Sequence, residues 1–276
     1  MITISLVAQN KPAAPEIGVV QDYENDSILK TQGYQYLVES TQKLFSPKKV
    51  SEEKFQEHLE KLKNLKLQLY ATNLFIPSDL KVVGPEIDEE SVLAYVDVVF
   101  QRGKQAGINM IIWGSGGSRQ VPEGFDHQKA KEQFVYMAKK VAAIAKKHDI
   151  VLALESLNST EGNFINTVEE ALDVVKKVDH KNLRLCADIY HMLKEGESPE
   201  IIKQTKNYLV YCEIAEKEGR TPPGINGENF KPYFTALKDI GYEGKVIIEC
   251  RWDNIESQGA DAYQYLREQI KEVYKN

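Results

Sequence analysis

Residues 150–188 read IVLALESLNSTEGNFINTVEEALDVVKKVDHKNLRLCAD, and the fold turns on this stretch. An apolar run, 151–155, closes on Glu155. A polar loop and an amphipathic segment over 167–178 follow, and a second apolar run, 183–188, closes on Asp188. Two strands with a helix between them form no hairpin; they lie parallel, with the helix as the crossover. The same alternation extends in both directions. Strands are predicted at 2–8, 36–39, 67–72, 109–113, 208–214 and 245–250, and helices at 27–31, 51–64, 89–106, 128–148, 199–206, 229–240 and 260–273. In the segment 128–148, Phe134, Met137, Ala138, Val141, Ile144 and Ala145 recur at three- and four-residue spacing and lay down one apolar stripe. Ser51 and Ser198-Pro199-Glu200 are helix-start signals, and Gly33, Gly107 and Gly241 stand where helices should end. Eight strand–helix units without a linker or composition break make one α/β domain over 1–276, a parallel eight-stranded (β/α)8 TIM barrel. A doubly wound sheet would want fewer strands and a glycine fingerprint after the first, and residues 9–26 hold no such fingerprint.

The 276 residues carry 35 Lys+Arg against 41 Asp+Glu, a formal charge of −6, with 42% hydrophobic and 28% charged residues. That balance is ordinary for a globular protein and ill suited to an affinity built on neutralising phosphates, so no nucleic-acid partner is expected. Three Cys are too few for a disulfide scaffold, and no apolar run approaches the ~20 residues of a membrane helix. The first residues lack the basic region of a signal peptide. A cytoplasmic protein with no membrane partner is the expectation.

Barrels of this kind do their chemistry where the strands finish. The last four strands finish on acids: VLALE on Glu155, LRLCAD on Asp188, YLVYCEI carries Glu213 and KVIIEC carries Glu249. A carboxylate in an apolar strand is costly unless paired or bound to a metal, and four at one mouth repel one another without a cation. All-oxygen ligands favour Mg²⁺ or Mn²⁺ over Zn²⁺, so these four are the predicted metal ligands. His191, three residues past Asp188, and Arg220, seven past Glu213, are placed to hold hydroxyl or carbonyl oxygens of a polar substrate. The segment Trp113-Gly-Ser-Gly-Gly-Ser-Arg119 is a poor dinucleotide fingerprint, since Arg119 stands where the third glycine belongs. Its glycines are expected to keep the loop low, with Trp113 and Arg119 lining the substrate pocket. Asn73 and Glu39, ending earlier strands, face the same rim. Cys186, Cys212 and Cys250 are read as small core residues, and His58, His127, His148 and His180 as surface residues.

The segments LALESLNSTEGNFINTVEEAL (152–172), LCADIYHM (185–192), EIAEKEGRTPPG (213–224) and GYEGKVIIECRW (241–252) resemble the xylose isomerase-like barrel superfamily. The likeness is to its sugar phosphate isomerase/epimerase branch, with D-tagatose 3-epimerase and hydroxypyruvate isomerase relatives. It covers the whole chain and is specific mainly over 150–252. It implies a divalent metal on Glu155, Asp188, Glu213 and Glu249, substrate contacts from His191 and Arg220, a small carbohydrate substrate and homo-oligomeric assembly. The chain departs from the family pattern at one ligand. Where that pattern resembles H-x-H-I-A-E, this chain reads Tyr211-Cys-Glu-Ile-Ala-Glu216, so the site is entirely carboxylate.

The chemistry that follows is removal of a proton α to a carbonyl, giving an enediolate, with Glu155 and Glu249 as the acid/base pair. Return of the proton on the opposite face is epimerisation, and return on the neighbouring carbon is aldose–ketose isomerisation. Departure of a β-hydroxyl would make the same site a keto-sugar dehydratase or lyase. Loss of the histidine at Glu213 raises a third alternative, a barrel that binds sugar or metal with weakened turnover.

Overall fold

The computed structural model describes residues 12–275. Eight parallel strands close into a barrel in sequence order. They are β1 Ile17–Val20, β2 Tyr36–Ser40, β3 Gln68–Asn73, β4 Met110–Trp113, β5 Val151–Leu154, β6 Leu183–Asp188, β7 Leu209–Ile214 and β8 Val246–Ile248. β1 pairs with both β2 and β8, which closes the ring. The helices are α1 Asp26–Thr31, α2 Thr41–Leu44, α3 Glu52–Leu62, α4 Glu89–Gln105, α5 His127–Lys147, α6 Val168–Val178, α7 Ile189–Glu195, α8 Ile201–Gln204, α9 Lys231–Ile240 and α10 Ile255–Tyr274. The chain is therefore a single (β/α)8 TIM barrel, as its alternation predicts. No helix among the described residues is long and apolar enough to cross a membrane.

The predicted strand 2–8 lies outside the described residues, and the first barrel strand is Ile17–Val20. Its sequence, IGVV, is short and holds a glycine that reads as a breaker. Gly18 is there for closure of the ring: a Cβ on it would stand 2.5 Å from Ile247 Cδ1 and 2.9 Å from Tyr36 Cβ. The other seven strands fall where apolar runs place them. A helix absent from the sequence reading, α7, starts at the end of β6, where Asp188 Oδ1 accepts from the backbone N–H of Tyr190 (2.7 Å) and His191 (3.3 Å). Gly196 ends it at φ 69°. The predicted helix 199–206 shrinks to α8, with Ser198 Oγ accepting from Glu200 N (3.3 Å) in the turn before it.

Strand alternation sorts the core into two layers. Val38, Ala71, Ile112, Ala153, Cys186, Tyr211 and Ile247 form a cluster inside the barrel. The larger layer packs between strands and helices and holds Trp113, Leu154, Leu185, Cys212 and Ile248. Residues two positions beyond the inner cluster share its inward direction, and these are Ser40, Asn73, Gly114, Glu155, Asp188, Glu213 and Glu249 at the mouth.

Candidate active site

The barrel brings the four strand-end acids together. Asp188 and Glu213 are register partners on β6 and β7. Glu155 follows β5, with its N–H on Trp113 O (3.2 Å), and Glu249 follows β8, with its N–H on Ile214 O (3.1 Å). One carboxylate oxygen from each of the four lies within 4.8 Å of the others. Asp188 and Glu213 are wholly buried, and Glu155 nearly so. At this separation and an effective dielectric of ~20, each ionised pair repels by about 3–4 kcal/mol. Burial, reinforced by the other three carboxylates, pushes Glu213 well above the usual carboxylate range. Burial also raises Glu249 to about 7, against the pull of Arg220. Burial and mutual repulsion thus oppose full ionisation of the cluster, which a bound cation would relieve.

Two basic side chains face it. His191 Nε2 lies 3.4 Å from Glu155 Oε1 and 3.4 Å from Asp188 Oδ2. Against burial, the two carboxylates draw its pKa upward, while the Asn158 donors on the other ring nitrogen oppose a second proton. On the other ring nitrogen, Nδ1 accepts from the Asn158 backbone N–H (3.1 Å) and stands 2.8 Å from Asn158 Nδ2. A backbone N–H can only donate, so Asn158 selects the form with its proton on Nε2, pointing into the cluster. Arg220 adopts φ 54°, a left-handed conformation that is strained for a residue other than glycine and typical of functional positions. Its guanidinium bonds Glu249 Oε2, lies 3.8 Å from Asp188 Oδ2 and 3.4 Å from Glu161 Oε2, and stacks 4.6 Å over the Tyr190 ring. Asn73 Nδ2 donates to the other Glu249 oxygen (2.8 Å).

The donor set fits a divalent cation. Asp188 Oδ2 is wholly buried with no hydrogen-bond partner in the protein, an acceptor left open toward the cluster. Carboxylate oxygens supply every ligand of the four-acid group, and His191, with its proton on Nε2, stands beside it as a hydrogen-bond donor. Gly114 shapes the wall, because a Cβ there would lie 2.2 Å from Glu155 Oε2.

Of the remaining predicted contacts, Trp113 is corrected. It is the last residue of β4, one position out of phase with the inward face. It packs among Phe75 (5.8 Å, edge-on) and Phe134 (5.0 Å), wholly buried in the outer core. Arg119 forms no ion pair with the carboxylates: its NH1 donates to Trp113 O (3.2 Å), it is 1% exposed, and burial lowers its pKa to about 10 against the pull of Glu155. Glu39 turns away from the rim, taking the Tyr23 N–H (3.0 Å) and Lys43 Nζ (3.0 Å). His58 is buried with Nδ1 3.1 Å from the Tyr23 hydroxyl, not a surface residue.

The loops contribute groups that strand reasoning does not find. Asn158 is one, and Glu161, bridging Asn158 Nδ2 (3.0 Å) and Arg220, is another. The third is Glu216, wholly buried, whose carboxylate accepts from the backbone N–H of Gly224 (2.8 Å), Asn226 (2.5 Å), Gly227 (3.1 Å) and Glu228 (3.1 Å) and from Thr221 Oγ1 (3.0 Å). It folds the loop that carries Arg220. Their only sequence signals are an Asn three residues after a strand-end acid and a Glu ahead of a glycine-rich turn.

Comparison with known proteins agrees with this architecture. The family model for xylose isomerase-like TIM barrels matches residues 28–273. The chain is 34% identical over 119 residues to a D-psicose 3-epimerase of Ruminiclostridium cellulolyticum, covering 43% of this chain and 40% of that protein. It is 28% identical over 135 residues to a hydroxypyruvate isomerase of Escherichia coli, covering 48% and 52%. The chain thus spans about half the length of the curated relatives it matches. A solved L-ribulose 3-epimerase superposes with a TM-score of 0.80 at 17% identity, over 95% of this chain and 96% of that one, a likeness of fold. By the match to the family model and by its closed barrel, this chain belongs to the xylose isomerase-like TIM barrel family.

Proposed function

We propose that this protein is a divalent-metal-dependent isomerase or epimerase of a small keto-sugar, moving a proton α to a carbonyl. The observation that carries the reading is the meeting of Glu155, Asp188, Glu213 and Glu249 within 4.8 Å at the barrel mouth. The names of the curated relatives, a D-psicose 3-epimerase and a hydroxypyruvate isomerase, support the substrate class. The four carboxylates would hold the metal, Mn²⁺ or Mg²⁺ in preference to Zn²⁺ because every donor is an oxygen. When bound, it would neutralise the cluster and stabilise negative charge developing on substrate oxygens.

The rest is done by this chain. Glu155 and Glu249 reach the site from β5 and from beyond β8, opposite walls of the same half-barrel. One takes the α-proton and the other returns a proton, either to the opposite face of that carbon or to its neighbour. Arg220 and Asn73 hold the Glu249 carboxylate at both oxygens. His191, with its proton fixed on Nε2 by Asn158, offers a hydrogen bond to a carbonyl or hydroxyl oxygen of the substrate.

The test is incubation with ketohexoses and hydroxypyruvate in D₂O containing Mn²⁺, read by NMR and mass spectrometry. Deuterium at a carbon α to the carbonyl, lost in Glu249→Gln, is the expected result. A mass lower by one water would identify a dehydratase instead. No exchange with any substrate, and no effect of Glu249→Gln, would sink the proposal.

A further inference from the structure

We infer that Tyr211 and Cys186 are positioning residues for Glu213, and that through it they set how tightly the cluster holds a hard divalent cation. This rests on the proposed reading that the four acids bind one.

Glu213 differs from its three neighbours in what holds it. Glu249 is gripped by Arg220 and Asn73. Asp188 is tied to the first turn of α7 through two backbone N–H groups. Glu155 stands beside His191. Glu213 takes its hydrogen bonds from one layer deeper in the barrel. The Tyr211 hydroxyl donates to Oε1 (3.2 Å), and the Cys186 thiol donates to Oε2 (3.8 Å). All three side chains are wholly buried. A carboxylate has about four lone-pair positions, so one donor on each oxygen leaves capacity for a cation while fixing the plane of the group.

The phenol is itself packed on a further ring. Its ring stacks on Tyr70 (6.0 Å between centroids, 16° between planes), and Tyr70 meets Tyr36 edge-on (5.8 Å, 67°). The Tyr36 hydroxyl donates to Glu16 Oε2 (2.9 Å) near the start of β1. A column of aromatic rings therefore runs through the barrel axis and ends in a hydroxyl aimed at a ligand carboxylate. A thiol is a weak donor, so Tyr211 carries the larger share. Because Glu213 itself offers only carboxylate oxygens, the cation the arrangement suits is Mg²⁺ or Mn²⁺.

The experiment is titration calorimetry of the whole protein with MnCl₂, on the wild type, Tyr211→Phe, Glu213→Ala and the double variant, each checked for folding by thermal unfolding. Tyr211→Phe keeps the ring and its stack and removes only the hydroxyl. The expected result is a Kd for Mn²⁺ weakened about tenfold, the usual scale for a group that orients a metal ligand. In the Glu213→Ala background the same change should leave Kd within about twofold, since the hydroxyl then has nothing to hold. A merely structural role of Tyr211 would weaken both backgrounds alike and would overturn the inference. Should Tyr211→Phe not fold, Cys186→Ala takes its place, with weaker Mn²⁺ binding expected only while Glu213 is present. Unchanged Kd in a folded Tyr211→Phe refutes the positioning role and leaves the metal site standing. A wild-type protein that takes up no divalent cation refutes both.

Discussion

Replacing Gly114 by Ala tests whether the position of Glu155 matters, without touching Glu155. An ideal Cβ on residue 114 would lie 2.2 Å from Glu155 Oε2 and 3.1 Å from its Cδ. Ordinary contact begins near 3.4 Å, so the oxygen must withdraw by about 1.2 Å, the difference between 3.4 and 2.2 Å. Gly114 is not among the residues at positive φ, so alanine meets no backbone strain there. Removing a glycine also narrows the unfolded ensemble, a gain of about 0.4–1 kcal/mol that offsets part of the crowding. Stability and function are thus expected to separate. A misplacement of ~1 Å at a reacting group costs on the order of 100-fold in rate, and a displaced ligand about 10–100-fold in metal affinity. The assay pairs deuterium exchange and Mn²⁺ calorimetry with thermal unfolding. Gly107→Ala serves as the opposite control: Gly107 sits at φ 76° with nothing within 4 Å of its Cβ direction. That change should cost about 1–2 kcal/mol of stability and leave Mn²⁺ binding alone. A folded Gly114→Ala that binds Mn²⁺ with the wild-type Kd and exchanges at the wild-type rate would show that Glu155 does not work from where it stands.

Three further outcomes are expected. Glu216→Ala strips four backbone N–H groups and the Thr221 hydroxyl of their acceptor, and should cost at least ~3 kcal/mol, with faster proteolysis inside 217–228; an unchanged cleavage pattern would contradict its role in folding the Arg220 loop. Trp113→Ala should cost about 3–5 kcal/mol in urea unfolding with Mn²⁺ affinity intact, whereas lost binding at unchanged stability would return Trp113 to the substrate side. Burial and the nearby ammonium groups of Lys54 and Lys61 hold His58 below 6.5. A folded-state pKa below the unfolded one means that the unfolded chain binds the extra proton, so this contribution is full above pH ~6.5 and fades as pH falls toward the folded value. Thermal unfolding from pH 7.5 to 5 should therefore show a shallower decline in His58→Gln than in the wild type, and equal slopes would count against it.

The gathering of the four acids at one mouth shows how far sequence reasoning reaches. Strand-end position is a one-dimensional property, so Glu155, Asp188, Glu213 and Glu249 were legible as a set from four apolar runs that each close on an acid. The facing of a residue at the end of a strand is less secure, because a shift of one residue exchanges the two sides of the sheet. Trp113 and Gly114 are adjacent, yet the indole enters the outer core and the glycine makes room for Glu155. The first barrel strand escapes the sequence for a related reason: IGVV has too few residues, and too small a second one, to show a pattern before its partners are known.

By itself the sequence determined the alternation of strands and helices, the closure expected of eight such units, and the presence of four acids at one end. These follow from local periodicity and from the parallel direction that a crossover helix imposes. Only the tertiary structure decided which groups support those acids. Asn73 reaches Glu249 across 176 positions, Arg220 reaches Glu161 across 59, and Asn158 sets the tautomer of His191 across 33. Such pairings have no local signature. They exist because closing the ring carries residues from distant loops to one mouth, where buried charge must find a partner.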